Sequence, residues 1–467
     1  MSGQLAPVTS LSWRGAEPGA VVLRGAEVVC PRAGVRAVGD LVIRDGEIAE
    51  LADPGSAEVE DAEVVDADGL LALPAFFDPH VHLRTPGREY KEEIETGTRA
   101  AAAGGYCGVL AMANTDPVVD SASDVLALRE RAGSDATVPT GFLAAITRGL
   151  DGEDLTEMAE LADSGAVAFS DDGLPVTSAR VLRRALQYQR LADRVLALHE
   201  EDPQLSGSGV MHEGPVSAAL GLAGIPSISE STMIARDAAL AAYEDARVHF
   251  QHLSARESVE AVESAKQAGA AVTAEVTPHH LVLTDEAVRS LDAHFKMNPP
   301  LRSEDDRQAL IEGLRSGAID CIATDHAPHA PDEKVVPFEQ AEMGVTGLET
   351  AFSVLHTDLV LTGILPLELL VERMTAGAEI FGFEAPRIEP GREANVVLVD
   401  PEAEWEAGAD GWESRSQNSC FAGRTLKGRV LMTVVAGGVV YRQRSFAIGI
   451  ELGGAHAAAP IAKLRWR

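Results

Sequence analysis

Residues 76–87 read FFDPHVHLRTPG and close an apolar run that begins at Leu70. Alternate side chains of a β-strand point the same way, so His80 and His82 aim at one point in space. Two imidazoles converging at the end of a buried strand suit a metal ion, because neutral imidazole is a common metal ligand. The plainer alternative is a pair of partly exposed histidines beside a Pro-Gly turn. The surrounding sequence has to separate the two.

From about residue 74 to 390 the chain alternates. Apolar, β-rich runs recur: LLALPAFFDPHVH, GYCGVLAMANT, VPTGFLAAIT, AVAFSDDG, RVLALHEE, ARVHFQHLS, AAVTAEVTPHH and AIDCIATDHAPH. Between them lie Ala/Leu/Glu/Arg-rich segments such as SASDVLALRERAG, DGEDLTEMAELADSG and ARESVEAVESAKQAG, which read as helices. Near-continuous apolar strands alternating with helices predict a parallel sheet covered on both faces. Eight units in roughly 300 residues fit a (β/α)8 TIM-like barrel, typically about 250 residues plus insertions. An open doubly wound sheet is the structural alternative. It is expected to carry a Gly-rich phosphate loop after its first strand, and none is present there.

Two shorter β-rich regions flank this middle. The first, 21–73, contains AVVLRGAEVV and DLVIRDGEIAEL, where Asp45-Gly46 signals a two-residue hairpin. The second, 391–467, contains ANVVLVDP and GRVLMTVVAGGVVYR, with Gly437-Gly438 as a second hairpin turn, and ends in a tail. Each is too small to make a core alone, so the two are expected to combine into one β-sandwich. Residues 1–20, rich in Gly, Ala, Ser and Pro, read as a loose tail.

Bulk properties narrow the function. With 72 acidic against 39 basic residues the formal charge is −33, which repels phosphate backbones and argues against nucleic-acid binding. The four cysteines, Cys30, Cys107, Cys321 and Cys420, form no CxxC pair, which favours a reducing compartment over a disulfide or cysteine–zinc framework. The sequence shows neither a signal peptide nor an apolar run long enough to span a membrane, so a cytoplasmic protein is expected.

On the predicted strands, metal-ligating and polar side chains collect at C-terminal ends: His80 and His82 on the first, Asn114 on the second, Asp171 and Asp172 on the fourth. His199 ends the fifth, His252 the sixth, and Asp325 and His329 the eighth. A barrel places all these ends on one face, where active sites are built. Each residue alone has a bland reading. His199 or His252 could be a core histidine, Asp171-Asp172-Gly173 a turn, and Arg84 a surface arginine. Jointly, several imidazoles and one or two carboxylates suit Zn2+ or a similar divalent ion. A carboxylate bridging two ions would make a binuclear, water-activating centre.

The sequence resembles the class I (type I) bacterial dihydroorotases of the amidohydrolase superfamily, over nearly all of the chain after residue 20. The resemblance is carried by DPHVHLRTPG, MANTDP, FSDDG, LHEEDPQLSGSGVMHEGPVSAALGLAGIPSISE, VHFQHLS, AEVTPHHL, FKMNPPLR and IATDHAPH. It implies that His80, His82 and Asp325 bind a first zinc and His199 and His252 a second, two Zn2+ per subunit. Asp172 would stand as the bridging carboxylate where many relatives use a carbamylated lysine; the choice of Asp172 over Asp171 follows the family's spacing alone. Arg84, Asn114, Asn298 and His329 would bind substrate, with the backbone of Met343 and Gly344 in EMGVTG. The implied activity is the reversible cyclisation of N-carbamoyl-L-aspartate to L-dihydroorotate in pyrimidine biosynthesis, by a metal-activated hydroxide with Asp325 as acid and base. A homodimer and an association with aspartate transcarbamoylase are further expectations of the resemblance. The competing readings are another cyclic amidohydrolase (hydantoinase, dihydropyrimidinase or allantoinase) and a non-catalytic partner of aspartate transcarbamoylase. Arg84, whose guanidinium suits a planar carboxylate, favours a carboxylated ring.

Overall fold

The structure, a computed structural model, describes residues 11–444 and residue 446. Its centre is a closed ring of parallel strands. The first, Phe76–Val81, pairs with Tyr106–Ala111, which pairs with Thr140–Phe142. A fourth, very short segment is inserted through the bridges Ala144–Phe169 and Phe169–Leu196. The order continues through Leu196–Leu198, Val248–Phe250, Val272–Val276 and Cys321–Ile322. The bridge between Val81 and His326 closes the ring, with the His82 amide donating to the His326 carbonyl at 2.9 Å. Each strand falls in one of the eight apolar runs of the sequence. These strands are buried on both faces, which explains why they read as unbroken hydrophobic runs rather than alternating ones.

The helices that coat the barrel follow local rules. Ala179–Ala192 starts where the Ser178 hydroxyl accepts from the Val181 amide, and ends at Asp193 in a left-handed conformation (φ 47°). Val181, Leu182, Ala185, Leu186, Gln189 and Ala192 repeat every three to four residues and make its buried face. Truncating fully buried Leu186 to Ala would cost about 2–5 kcal/mol.

The flanking segments join in one eight-stranded sheet with its own apolar core, which includes Leu23, Leu41, Ile43, Val396, Leu398 and Met432. The molecule is a TIM barrel with a β-sandwich domain. The connection between the two is sharp. Leu71–Pro74 pairs with the C-terminal strand Val396–Glu406, with Leu73 opposite Val397, whereas Phe76–Val81 belongs to the barrel. One apolar run thus serves two sheets and switches at Ala75.

Two expectations need correction. Residues 1–10 lie outside the described residues, but from Leu11 onward the expected loose tail is held: Ser12 and Thr140 exchange two backbone hydrogen bonds of 3.0 Å, and Leu11 packs against the core. The second hairpin turns on Ala436-Gly437 (φ 48° and 77°), one residue earlier than Gly437-Gly438, because Gly438 already pairs with Val435. Asp45-Gly46 has the expected pair of positive φ angles, 53° and 88°. The C-terminal tail beyond residue 446 lies outside the described residues. Among the described residues, no helix is long and apolar enough to cross a membrane.

Candidate active site

The strand ends converge. His80 Nε2 lies 3.5 Å from both Asp172 Oδ1 and Asp325 Oδ1. His82 Nε2 lies 3.0 Å from Asp325 Oδ1 and 3.5 Å from Asp172 Oδ2. On the other side of Asp172, His199 Nδ1 and His252 Nε2 each stand 3.6 Å from Oδ1 and 2.9 Å from one another. Asp172 therefore faces all four imidazoles, with His82 on one oxygen and the other three on its second. Asp171, its neighbour, turns away and accepts from the Ile146 amide at 2.7 Å, the Thr147 amide at 3.0 Å and the Thr147 hydroxyl. The local geometry separates two aspartates that strand spacing alone left equivalent.

All six groups are almost fully buried. Burial disfavours charge, yet Asp172 is held well below the usual carboxylate range by His80, His199 and His252. Burial likewise opposes a charge on His80, but Glu275 and Asp172 outweigh it and hold this ring well above the ordinary histidine range. Two atoms at the centre, His80 Nε2 and Asp172 Oδ1, are buried without a hydrogen-bond partner. Buried polar atoms are normally satisfied. Imidazole nitrogens and carboxylate oxygens converging at 3.5–3.6 Å fit the donor set of a divalent cation, which would displace the proton that the carboxylates otherwise hold on His80. His80, His82 and Asp325 can give one ligand atom each within 4.8 Å of one another, as can His80, Asp172 and His252.

The backbone bends to make this possible. Arg84, His252 and Asp325 adopt left-handed conformations, with φ of 56°, 32° and 46°. Such residues cost roughly 1–3 kcal/mol each and gather at functional sites. Arg84 lies beyond the strand that ends at Val81, so strand alternation does not aim it; its own turn does. Its Nε donates to the Pro328 carbonyl at 3.2 Å, and burial pushes the guanidinium down to about 10, still fully charged at neutral pH.

A cavity of about 530 Å3 opens over the cluster, lined among others by His82, Arg84, Asn114, Asp172, His199, His252, Asn298, Asp325, His329, Met343 and Gly344. Every expected site residue except fully buried His80 lines it. Their contacts differ from a simple set of substrate donors. Asn114 accepts from His82 Nδ1 at 2.9 Å and donates to Asp172 Oδ2 at 3.0 Å, so it holds two members of the cluster. Asn298 donates to Glu201 Oε2 at 2.6 Å, and that carboxylate is 3.4 Å from His199 Nε2. Asn298 lines the cavity, and among the described residues its carbonyl oxygen has no hydrogen-bond partner. His329 Nε2 donates to the Met343 carbonyl at 2.9 Å while Lys91 Nζ lies 3.3 Å from Nδ1. Burial and the positive charges of Arg84 and Lys91 push His329 down to about 2, so it is neutral.

Three participants escaped the sequence reading. Glu275 receives His80 Nδ1 at 2.6 Å, His249 Nε2 at 3.0 Å and the His252 amide at 3.2 Å. A charged residue inside the apolar run AAVTAEV was a visible signal for it. Glu201, two residues past His199, and Lys91, in an ordinary charged loop, carried no distinguishing signal.

A family model described as Dihydro-orotase-like matches residues 69–258. The chain is 45% identical over 425 residues to the dihydroorotase of Pelotomaculum thermopropionicum, covering 91% of this chain and 99% of that protein. It is 47% identical to the dihydroorotase of Anaeromyxobacter dehalogenans, covering 90% and 98%. Among solved structures, the L-hydantoinase (dihydropyrimidinase) of Arthrobacter aurescens superposes with a TM-score of 0.81 at 25% identity, covering 91% of this chain and 96% of that one. The dihydropyrimidinase of Brevibacillus agri shares the fold, with a TM-score of 0.77 at 23% identity over 91% and 95%.

Proposed function

The chain belongs to the dihydroorotase family, and from that premise we propose that it interconverts L-dihydroorotate and N-carbamoyl-L-aspartate. The observation that carries this reading beyond the family is Arg84. Its buried guanidinium opens into the same cavity as the histidine–aspartate cluster, and a carboxylate on the substrate ring gives it a partner. A hydantoin ring has no such group.

His80, His82 and Asp325 would hold one cation and His199 and His252 a second, with Asp172 between them; the imidazole and carboxylate donor set suits Zn2+. Bound there, such cations lower the pKa of water and polarise a carbonyl. The remaining chemistry belongs to the side chains. Arg84 anchors the substrate carboxylate. The free Asn298 oxygen accepts from a ring N–H. Asp325, whose carboxylate the neighbouring histidines keep ionised, accepts the proton of the attacking water. As the ring amide C–N bond breaks, Asp325 returns that proton to the leaving nitrogen; the new carboxyl group gives up the second water proton to solvent and departs as a carboxylate with the carbamoyl chain. Ring closure retraces the same path. Membership of class I rests on Asp172 standing where relatives of other classes carry a modified lysine.

Turnover of dihydroorotate, hydantoin and allantoin by the purified protein, with its metal content measured in the same sample, tests the reading. Preference for dihydroorotate supports it; turnover of hydantoin alone overturns it in favour of a hydantoinase.

A further inference from the structure

The wall of the cavity that carries Met343 and Gly344 is secured in an unusual way. Lys296 and Lys334 are 3% and 4% exposed, and neither forms an ion pair among the described residues. Lysines are almost never this buried without a carboxylate, because an unpaired buried ammonium is costly. Here main-chain oxygens replace the carboxylate. Lys334 Nζ donates to the carbonyls of Lys296 at 3.2 Å, Glu342 at 2.8 Å and Gly344 at 2.9 Å, using all three of its N–H groups. Lys296 Nζ donates to the carbonyls of Glu339 at 3.0 Å and Ala341 at 2.7 Å and sits 5.6 Å from the centre of the Phe338 ring. His329 takes the Met343 carbonyl, and Asn418 Nδ2 reaches the Gly344 carbonyl at 3.0 Å. The Gly344 amide returns to the Lys296 carbonyl at 3.0 Å.

We propose that Lys296 and Lys334 are positioning residues for the substrate site: their buried amino groups gather the carbonyls of Glu339, Ala341, Glu342 and Gly344 in this wall. Met343 lines the cavity, and its amide makes no hydrogen bond among the described residues, so it is available as a donor to a ligand there. Carbonyls gathered on one side of an irregular segment repel one another, and donors from Lys296 and Lys334, with His329 and Asn418, offset this. Burial and the neighbouring Lys296 push Lys334 down to about 7, and three carbonyl acceptors around its Nζ match the protonated form. The position of Gly344 agrees. At φ 139° it lies in a region side chains rarely adopt, and a Cβ there would stand 2.8 Å from Ala327 Cβ and 2.9 Å from His329 Nε2. The inference rests on the functional reading in so far as Met343 meets substrate.

Lys334→Met and Lys296→Met keep the stems of the side chains and remove the charge. The expected result is a KM for dihydroorotate raised about 10-fold or more, with kcat within about 3-fold and metal content unchanged. Amide hydrogen exchange should speed up at 339–344 and stay unaltered on the barrel strands. In Lys334→Ala, added ethylammonium should restore KM while ethanol at the same concentration does not. Unchanged KM together with unchanged exchange overturns the proposal, as does a loss of kcat and metal together that ethylammonium fails to rescue. Should Lys334→Met not fold, Lys296→Met and the ethylammonium-supplemented Lys334→Ala carry the same test. The exchange measurement needs no substrate. Wild-type protein inactive on dihydroorotate would therefore remove the functional reading while leaving the clamp itself open to refutation.

Discussion

Glu275 Oε1 lies 2.6 Å from His80 Nδ1, and this contact decides which nitrogen of His80 faces the cation pocket. A carboxylate accepts only, so Nδ1 carries a proton and Nε2 is the nitrogen that faces Asp172 and Asp325. Glu275 also receives His249 Nε2 and the His252 amide, three N–H groups in all. A glutamine would oppose one of them with its own N–H. Glu275→Gln is expected to weaken metal binding about 10–100-fold, read by competition with a chelator, with the barrel still folded by circular dichroism.

On the proposed mechanism, Asp325→Ala removes both the proton carrier and a ligand. Turnover should fall by at least about 10²–10⁴-fold in steady-state assays with excess metal, and substantial residual activity would refute its acid–base role.

Arg84→Met should behave differently. With the guanidinium gone, the substrate carboxylate loses a charge-assisted pair worth about 1.5–3 kcal/mol, so KM should rise about 10–100-fold. Among the described residues the one hydrogen bond that Arg84 donates goes from Nε to the Pro328 carbonyl, so metal content should be unchanged. Metal loss in this variant would place Arg84 in the ligand network instead.

Removal of metal by a chelator should abolish turnover and lower Tm, and readdition of Zn2+ should restore both. The expectation follows from His80 Nε2 and Asp172 Oδ1, buried and unsatisfied, since a cation that binds only the folded chain stabilises it by mass action. A chelated protein with unaltered Tm would argue against ligation at these atoms.

Glu349 offers a pH test away from the site. Burial pushes its carboxyl up to about 7, against hydrogen bonds from the Glu413 and Ser414 amides. A carboxyl raised in the folded state binds a proton there that the unfolded chain gives up near pH 4.3. Its contribution to stability is therefore full below that value and is lost as pH rises to about 7. Glu349→Gln keeps one acceptor oxygen and removes the titration. Between pH 5 and 8 its urea midpoint should fall less than that of the wild type, and at pH 8 it should be at least as stable.

Much of this protein is legible in its sequence. Unbroken apolar runs alternating with capped, amphipathic helices specify a parallel barrel, because only strands covered on both faces tolerate such composition. The positions of His80, His82, His199, His252 and Asp325 just past those runs mark one face as reactive, since strand direction is shared around the ring. The sequence left equivalent what depends on the angle of a side chain: Asp171 against Asp172, or an asparagine that meets substrate against one that, like Asn114, braces His82 and Asp172. It flagged Glu275 only as a charge inside an apolar run, without its partners, and was silent on Glu201 and the two lysines behind Met343. Periodicity and local propensity act between near neighbours and are written in the order of residues. Orientation, protonation and the satisfaction of buried charge are set by groups that meet only when the barrel closes, so the tertiary structure alone decided them.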